Sequence, residues 1–136
     1  MRSVRIHINI IFFLFCSFCY AQKSVNQNDV KAKIEVEKIE SNIKITGTAE
    51  NLTNITKSGS YKLSVIKNNH VSNNNTNNSQ EGIFTLKPNE LVKLSTTQVN
   101  LASDDEVIIL LVFFNENKEI ISKDRLVFGD EKKKTQ

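Results

Sequence analysis

The sequence predicts an all-β fold, a seven-stranded antiparallel β-sandwich of immunoglobulin-like class. Apolar residues recur with a period of two along most of the chain after residue 30, as they do in strands that bury one face. Turn signals separate seven such segments, and none has the 3.6-residue period of an amphipathic helix. A sandwich of this class needs about 100 residues, which fits a domain at 31–129.

The first two predicted strands form a hairpin. Ala32 to Glu37 alternates apolar and charged side chains, and Asn42 to Thr46 repeats the alternation. Glu40-Ser41 lies between these segments and suits a tight turn.

The next two strands are predicted at 61–67 and 83–86, and an unusual stretch, KNNHVSNNNTNNSQEG at 67–82, connects them. Seven of the eleven residues from Asn68 to Asn78 are asparagine. Asparagine tolerates left-handed backbone conformations, and a run with so little apolar content is expected to stay mobile. We therefore predict an elongated inter-strand loop at 68–78 rather than a domain linker. A direct contact of these side chains with an Asn-rich client is the alternative.

The last three strands are predicted at 91–101, 107–114 and 120–128. Lys87-Pro88-Asn89-Glu90 precedes them and carries proline where a turn requires a fixed φ. The segment VIILLVFF, Val107 to Phe114, is apolar at every position. Eight residues span about 27 Å as a strand, so this segment is expected to be a central strand of the sandwich.

Residues 1–21 have the pattern of a secretory signal peptide. Arg2 and Arg5 precede a mostly apolar stretch, and small residues before Gln22 place the predicted cleavage after Ala21. The stretch is shorter than the roughly 20 residues of a membrane-spanning helix. A lipoprotein signal is the alternative, although both cysteines follow phenylalanine rather than a small residue. Cleavage would leave a flexible segment at 22–30, the domain at 31–129 and a charged tail at 130–136, with no membrane attachment.

Cleavage changes the cysteine and charge counts. Cys16 and Cys19 are the only cysteines, so the mature chain would have no thiol chemistry and no disulfide. Loss of Arg2 and Arg5 lowers the Lys plus Arg count from 18 to 16 against 15 Asp plus Glu, and the formal charge falls from +3 to +1. A net charge near zero gives no indication of nucleic acid as a partner.

Candidate catalytic and metal sites are weak. His70 is the only histidine of the mature chain, which argues against a His-containing metal cluster. Asp104-Asp105-Glu106 is better explained as an acidic turn than as a cation site, since no glycine-punctuated loop surrounds it. We expect neither an enzyme nor a cofactor.

Two stretches carry a resemblance to a known family. SGSYKLSVIK, Ser58 to Lys67, and SQEGIFTLKPNELVKLSTTQVNL, Ser79 to Leu101, resemble the curli-system family of small periplasmic amyloid inhibitors, the CsgC/CsgH type. The absence of cysteine from the mature chain places it closer to the cysteine-free CsgH-like branch. The matching positions are Gly59, Ser60, Tyr61, Leu63, Val65 and Lys67 in the first stretch, and Ser79, Gln80, Gly82, Phe84, Leu86 and Glu90 in the second.

The resemblance implies a non-catalytic, periplasmic, chaperone-like protein. Such a protein would prevent premature polymerisation of a curli-type amyloid subunit, a Gln/Asn-rich secreted protein, by transient non-covalent binding. Charges on a sheet face are candidate client contacts, such as Lys62 together with Lys44 or Lys93. Pairing of an extended client along a sheet edge is a second possible mode. A secreted adhesion or structural sandwich module that binds a protein or glycan surface is the alternative function.

Overall fold

The computed structural model describes residues 29–129, and within this range the chain forms seven β-strands and no helix. The predicted signal peptide at 1–21, residues 22–28 of the N-terminal segment and the tail at 130–136 lie outside the described residues. Val30, assigned by the sequence to that N-terminal segment, is instead the first residue of a strand. The strands are β1 (Val30–Ile39), β2 (Asn42–Asn51), β3 (Lys57–Asn69), β4 (Asn74–Leu86), β5 (Leu91–Asn100), β6 (Asp105–Phe114) and β7 (Ile120–Phe128).

The strands form two sheets, with the order β1-β2-β5 in one and β4-β3-β6-β7 in the other. Every paired strand is antiparallel to its neighbour. The chain changes sheet between β2 and β3, between β4 and β5, and between β5 and β6. The predicted seven-stranded antiparallel sandwich is confirmed, and VIILLVFF is a central strand, β6, as expected.

The core lies between the sheets and follows the period of two seen in the sequence. Ile43 and Ile45 of β2 face Leu63, Val65 and the alternate residues of β6, all at most 3 % exposed. Burial of each such side chain contributes roughly 1.5–3 kcal/mol. Aromatic packing adds to the core, since the rings of Phe84 and Phe113 are 5.0 Å apart and tilted by 49°.

One side of the sandwich is closed by hydrogen bonds between strands of different sheets. The β1 amides of Ala32 and Ile34 donate to Ser122 Oγ at 3.0 Å and to Asp124 Oδ2 at 2.8 Å, both on β7. These donors belong to an edge strand, and no strand within residues 29–129 pairs with it on that side. Side chains of β7 therefore satisfy part of the β1 edge.

Asn51 joins the end of β2 to two loops. Its buried amide donates to the carbonyls of Ile55, Leu86 and Lys87 at 2.7–3.2 Å, and its Oδ1 accepts from the backbone N and the hydroxyl of Thr53. Asn51-Leu-Thr matches the glycosylation pattern, but in the folded domain this asparagine is only 1 % exposed and serves the packing of the loops.

The predicted tight turns are confirmed. Glu40, at φ 57°, is part of the two-residue connection between β1 and β2. After β4, the amide of Glu90 donates to the carbonyl of Lys87 at 3.1 Å, and Asn89 adopts φ 61°. Each turn thus contains one residue with a positive φ, and asparagine at position 89 tolerates this conformation better than glutamate at position 40.

The prediction of a long loop at 68–78 is wrong. β3 runs to Asn69, β4 begins at Asn74, and only residues 70–73 form the turn. The strands continue because β3 is paired on both sides, to β4 throughout and to β6 from Ser60 to Asn69. Turn chemistry acts only at the tip, where Asn69 Oδ1 accepts from the amides of Val71 and Ser72 and Asn73 has φ 58°. Tertiary pairing therefore overrides the composition of the segment.

Candidate functional site

The three candidate lysines lie on opposite faces of the sandwich. Lys62 is on β3, in the four-stranded sheet, whereas Lys44 and Lys93 are on β2 and β5, in the three-stranded sheet. Each alternates with inward-facing residues of its strand and points to solvent. Lys44 pairs with Gln98, while Lys93 pairs with Thr48, which is four residues or about 13 Å further along β2. The expected grouping of Lys62 with either of the others is not formed.

The outer face of the four-stranded sheet carries an apolar stripe that we call the β6 stripe. It consists of Ile108, Leu110, Val112 and Phe114, which alternate with the core residues of β6 and are only half-buried. At one end Ile83 of β4 and Ile120 of β7 extend it, with exposures of 87 % and 46 %. Such a band of apolar side chains in solvent is typical of an interaction surface.

Cationic side chains flank the β6 stripe on both sides. Lys62 of β3 and Lys123 of β7 are both in register with Val112, and Arg125 of β7 is in register with Leu110. All three are exposed. The Lys62 ammonium is 3.8 Å from Glu81 on β4, and since both side chains are exposed, this ion pair contributes little to stability.

A groove of about 510 Å³ lies on this face at the end of the β6 stripe. Lys62 and Lys118 bring positive charge to it, and Ile83 and Phe114 bring apolar surface. A groove of this composition suits a side chain that has both apolar and polar atoms. Its remaining lining residues are Ser60, Tyr61, Glu81 and Gly82.

The residues that match the family pattern have packing roles. The hydroxyl of Tyr61 donates to the carbonyl of Leu94 on β5 at 3.2 Å and so bridges the two sheets. A Cβ at Gly82 would be 2.7 Å from the Tyr61 ring, and a Cβ at Gly59 would be 2.6 Å from the carbonyl oxygen of Phe114. Glycine is required at both positions for close approach, so these matches report on the fold.

A polar cluster fixes the tip of the β3–β4 hairpin to the start of β6. The buried Asp105 carboxylate accepts from Asn69 Nδ2 at 2.6 Å, Ala102 N at 2.9 Å and Lys67 Nζ at 3.1 Å. Burial by itself raises the pKa of Asp105, but the hydrogen bonds and the charge of Lys67 outweigh it and hold the pKa below its ordinary value. His70 Nε2 lies 3.3 Å from Glu106 Oε2 beside this cluster.

Residues 29–129 contain no group of three or more His, Cys, Asp or Glu side chains arranged to hold a metal ion. Asp105, in the acidic stretch 104–106, is instead bonded to protein donors. No helix with the length and apolar character needed to cross a membrane occurs in the same range.

Solved structures with the same architecture were found by comparison of the folds. CsgH from R. palustris superposes with a TM-score of 0.52 at 19 % identity, over 69 % of this chain and 89 % of CsgH. The E. coli curli protein CsgC superposes with a TM-score of 0.57 at 12 % identity, over 71 % of this chain and 96 % of CsgC. The chain has the CsgC/CsgH-type fold.

The CsgC/CsgH-type fold also resembles one part of larger proteins. A β-glucuronidase from Bacteroides uniformis superposes with a TM-score of 0.52 at 7 % identity, but the match covers only 14 % of that enzyme. A likeness to such a small part gives no reason to assign glycosidase activity to this chain. In comparisons of the sequence, no family model and no curated protein matches this chain.

Sequence reasoning missed the β6 stripe as a surface. The signal was present, because VIILLVFF is apolar at both alternating sets of positions. A strand whose outward-facing side chains are also apolar needs a second layer of structure to cover them, or it leaves apolar surface in solvent. Within the described residues no element covers the β6 stripe, so only the side chains of the neighbouring strands β3 and β7 shield it in part.

Proposed function

We propose that the protein is a periplasmic, chaperone-like inhibitor of premature polymerisation of a curli-type amyloid subunit. It would bind this Gln/Asn-rich client transiently and without covalent chemistry. No cofactor and no nucleic acid take part in the proposed action.

The observation that carries the proposal is the superposition on CsgH and CsgC over nearly their whole length. CsgC is a curli protein of E. coli. The match thus extends over most of each of these two solved chains, whereas it covers only 14 % of the β-glucuronidase. The signal-peptide pattern at 1–21 supports export to the periplasm, where a secreted amyloid subunit would be met.

The β6 stripe is the proposed contact surface on the outer face. Its apolar residues offer non-directional attraction, and Lys62, Lys123 and Arg125 at its sides favour encounter with polar or acidic segments of a client. Exposed charges are screened by salt, so such binding is weak and brief. Brief contact with fibril nuclei is sufficient to delay growth, because growth depends on few templating strands. Lys44 and Lys93 offer a second, separate contact surface on the opposite face, where Lys44 is in register with Glu37.

Fibrillation kinetics test the proposal directly. Purified residues 22–136 are added to a curli-type subunit at molar ratios from substoichiometric to equimolar, and amyloid formation is followed with a fluorescent dye. We expect a longer lag phase already at substoichiometric ratios. An unchanged lag at equimolar ratio would contradict the proposal, and an unrelated folded protein at the same concentration is the control.

A further inference from the structure

Within residues 29–129 the sandwich has four edge strands, and three of them are covered or charged along at least part of their length. β1 donates two amides to side chains of β7, which satisfies part of the β1 edge, and β7 carries Lys123, Asp124 and Arg125. β1 also carries charged side chains at alternate positions from Lys31 to Glu37. β5 carries Lys93 near its start, and its uncharged residues 95–100 are half-buried at every second position. Charges and covering contacts of this kind protect sheet edges from pairing with other chains.

The first half of β4 has neither form of protection. Its residues from Asn74 to Gln80, NNTNNSQ, contain no charge and no proline. The side chains from Asn74 to Ser79 are exposed, and among the strands that the structure describes β4 is hydrogen-bonded only to β3. An unpaired row of backbone N–H and C=O groups is therefore available along this half of the strand. We call residues 74–80 the amide edge.

The amide edge is held in strand geometry before any partner arrives. Each of its residues pairs with one residue of β3 between Leu63 and Asn69, and β3 is paired with β6 on its other side. The bonds of Asp105 to Asn69 and Lys67 fix the tip of the hairpin to β6. An incoming strand would thus meet an ordered edge, and the cost of ordering would fall on the partner alone.

We infer that the amide edge binds an extended, uncharged strand rich in Asn, Gln, Ser and Thr by β-augmentation. Backbone hydrogen bonds to β4 would supply the affinity, and side-chain amides would supply selectivity. An amide side chain both donates and accepts, so Asn and Gln form ladders with like neighbours on adjacent strands. A charged strand would gain no ion pair within the amide edge.

The inference rests on the proposed function, because it identifies the part of the Gln/Asn-rich client that is recognised. A client strand seated on β4 uses one of its two hydrogen-bonding edges. That edge is then unavailable to the next subunit of a fibril, and the sandwich blocks the approach of further strands from that side. The amide edge would act in addition to the β6 stripe on the adjacent face.

Amide hydrogen exchange measured by NMR tests the inference without any fibril. The probe is a soluble synthetic peptide of alternating Asn or Gln and Ser or Thr residues, added to labelled residues 22–136. We expect exchange to slow by about tenfold or more at every second amide of residues 74–80. These are the backbone N–H groups that point away from β3 and would bond to the peptide. No slowing in this segment overturns the inference.

Matched lysine variants provide the control. Asn77→Lys introduces charge in the amide edge, while Thr85→Lys introduces the same charge on the same face of β4 outside it. We expect Asn77→Lys to weaken peptide binding by about tenfold and Thr85→Lys to leave it unchanged. Equal binding by the two variants overturns the inference.

Two further results separate the inference from neighbouring explanations. If amide exchange at residues 74–80 slows without peptide, and does so more at higher protein concentration, the amide edge pairs with a second copy of this chain. The assignment to a client is then overturned. If Asn77→Lys delays fibrillation as well as the unmodified protein does, the amide edge is overturned as the client site, but the proposed function stands. Failure of the unmodified protein to delay fibrillation contradicts the proposed function, whatever the peptide shows.

Discussion

Asp105 shows at the scale of one residue why a buried charged group can be stable. Burial disfavours its charge, but three donors surround the carboxylate at 2.6–3.1 Å. Their combined effect lowers the pKa of Asp105 below its ordinary value. A carboxyl whose pKa is lower in the folded than in the unfolded state stabilises the fold above its unfolded pKa, about 3.9. This contribution is lost as the pH falls through the folded value.

Asp105→Asn is therefore expected to lower the free energy of unfolding at pH 7 by about 2 kcal/mol, since charge-assisted hydrogen bonds are replaced. The difference between variant and unmodified protein should shrink as the pH falls below about 4. Urea unfolding at pH 7 and pH 3 measures both effects. Asp104→Asn is the control, because that side chain is exposed, and a pH-independent difference for Asp105→Asn would contradict the explanation.

At the scale of an element, β1 shows how a sheet edge is satisfied by side chains of the other sheet. Its amides at Ala32 and Ile34 depend on Ser122 and Asp124, two polar residues on the inner side of β7. In the sequence, ISKD at 121–124 contains no indication that its polar residues would cover a strand about ninety positions earlier. Only the packing of the two sheets brings them together.

Asp124→Ala should leave the amide of Ile34 without its partner and lower the free energy of unfolding by about 1–3 kcal/mol. Asp124→Asn keeps an acceptor oxygen and should cost less. Hydrogen exchange at Ile34 should accelerate in the alanine variant, and urea unfolding gives the energies. Lys123→Ala, an exposed neighbour, is the control. Equal stability of Asp124→Ala and Lys123→Ala would show that the hydrogen bond from the Ile34 amide to Asp124 is dispensable.

The β3–β4 hairpin is the element that sequence reasoning described least well. Asparagine is depleted in strands in general, and the segment at 68–78 has no apolar alternation that would predict β4. β3 was predicted only to Lys67, although pairing with β6 extends it to Asn69. Replacement of residues 68–78 by a Gly/Ser loop would consequently remove paired strands and the Asn69–Asp105 bond, and not merely a spacer.

At the scale of the whole molecule, the two sheets separate the candidate lysines into independent surfaces. This arrangement permits a comparison of faces within one protein. Lys62→Gln removes charge beside the β6 stripe, whereas Lys44→Gln with Lys93→Gln removes charge from the opposite face.

We expect Lys62→Gln to raise the protein concentration needed for a given delay of fibrillation by about fivefold, because a rim charge acts mainly on the rate of encounter. The double variant on the other face should behave as the unmodified protein does. Added salt should weaken inhibition by the unmodified protein more than by Lys62→Gln. A larger loss of inhibition in the double variant would indicate that the client binds the three-stranded sheet. Urea unfolding of each variant is the control for changes in stability.

The sequence by itself determined the fold class, the seven strands, the tight turns and the central position of β6. Local alternation and turn chemistry carry this information, because burial of one strand face imposes a period of two on any sandwich. The residues of the family pattern likewise identified the CsgC/CsgH-type fold, since Gly59, Gly82 and Tyr61 are fixed by packing.

Only the tertiary structure decided which residues share a surface. Strand order placed Lys62 apart from Lys44 and Lys93, and pairing of β3 on both sides turned the Asn-rich stretch into a strand edge. Inter-strand hydrogen bonds join residues distant in sequence, and their partners are set by the packing of the whole sandwich rather than by local composition. The β6 stripe and the amide edge, on which the proposed interactions depend, both arise at that level.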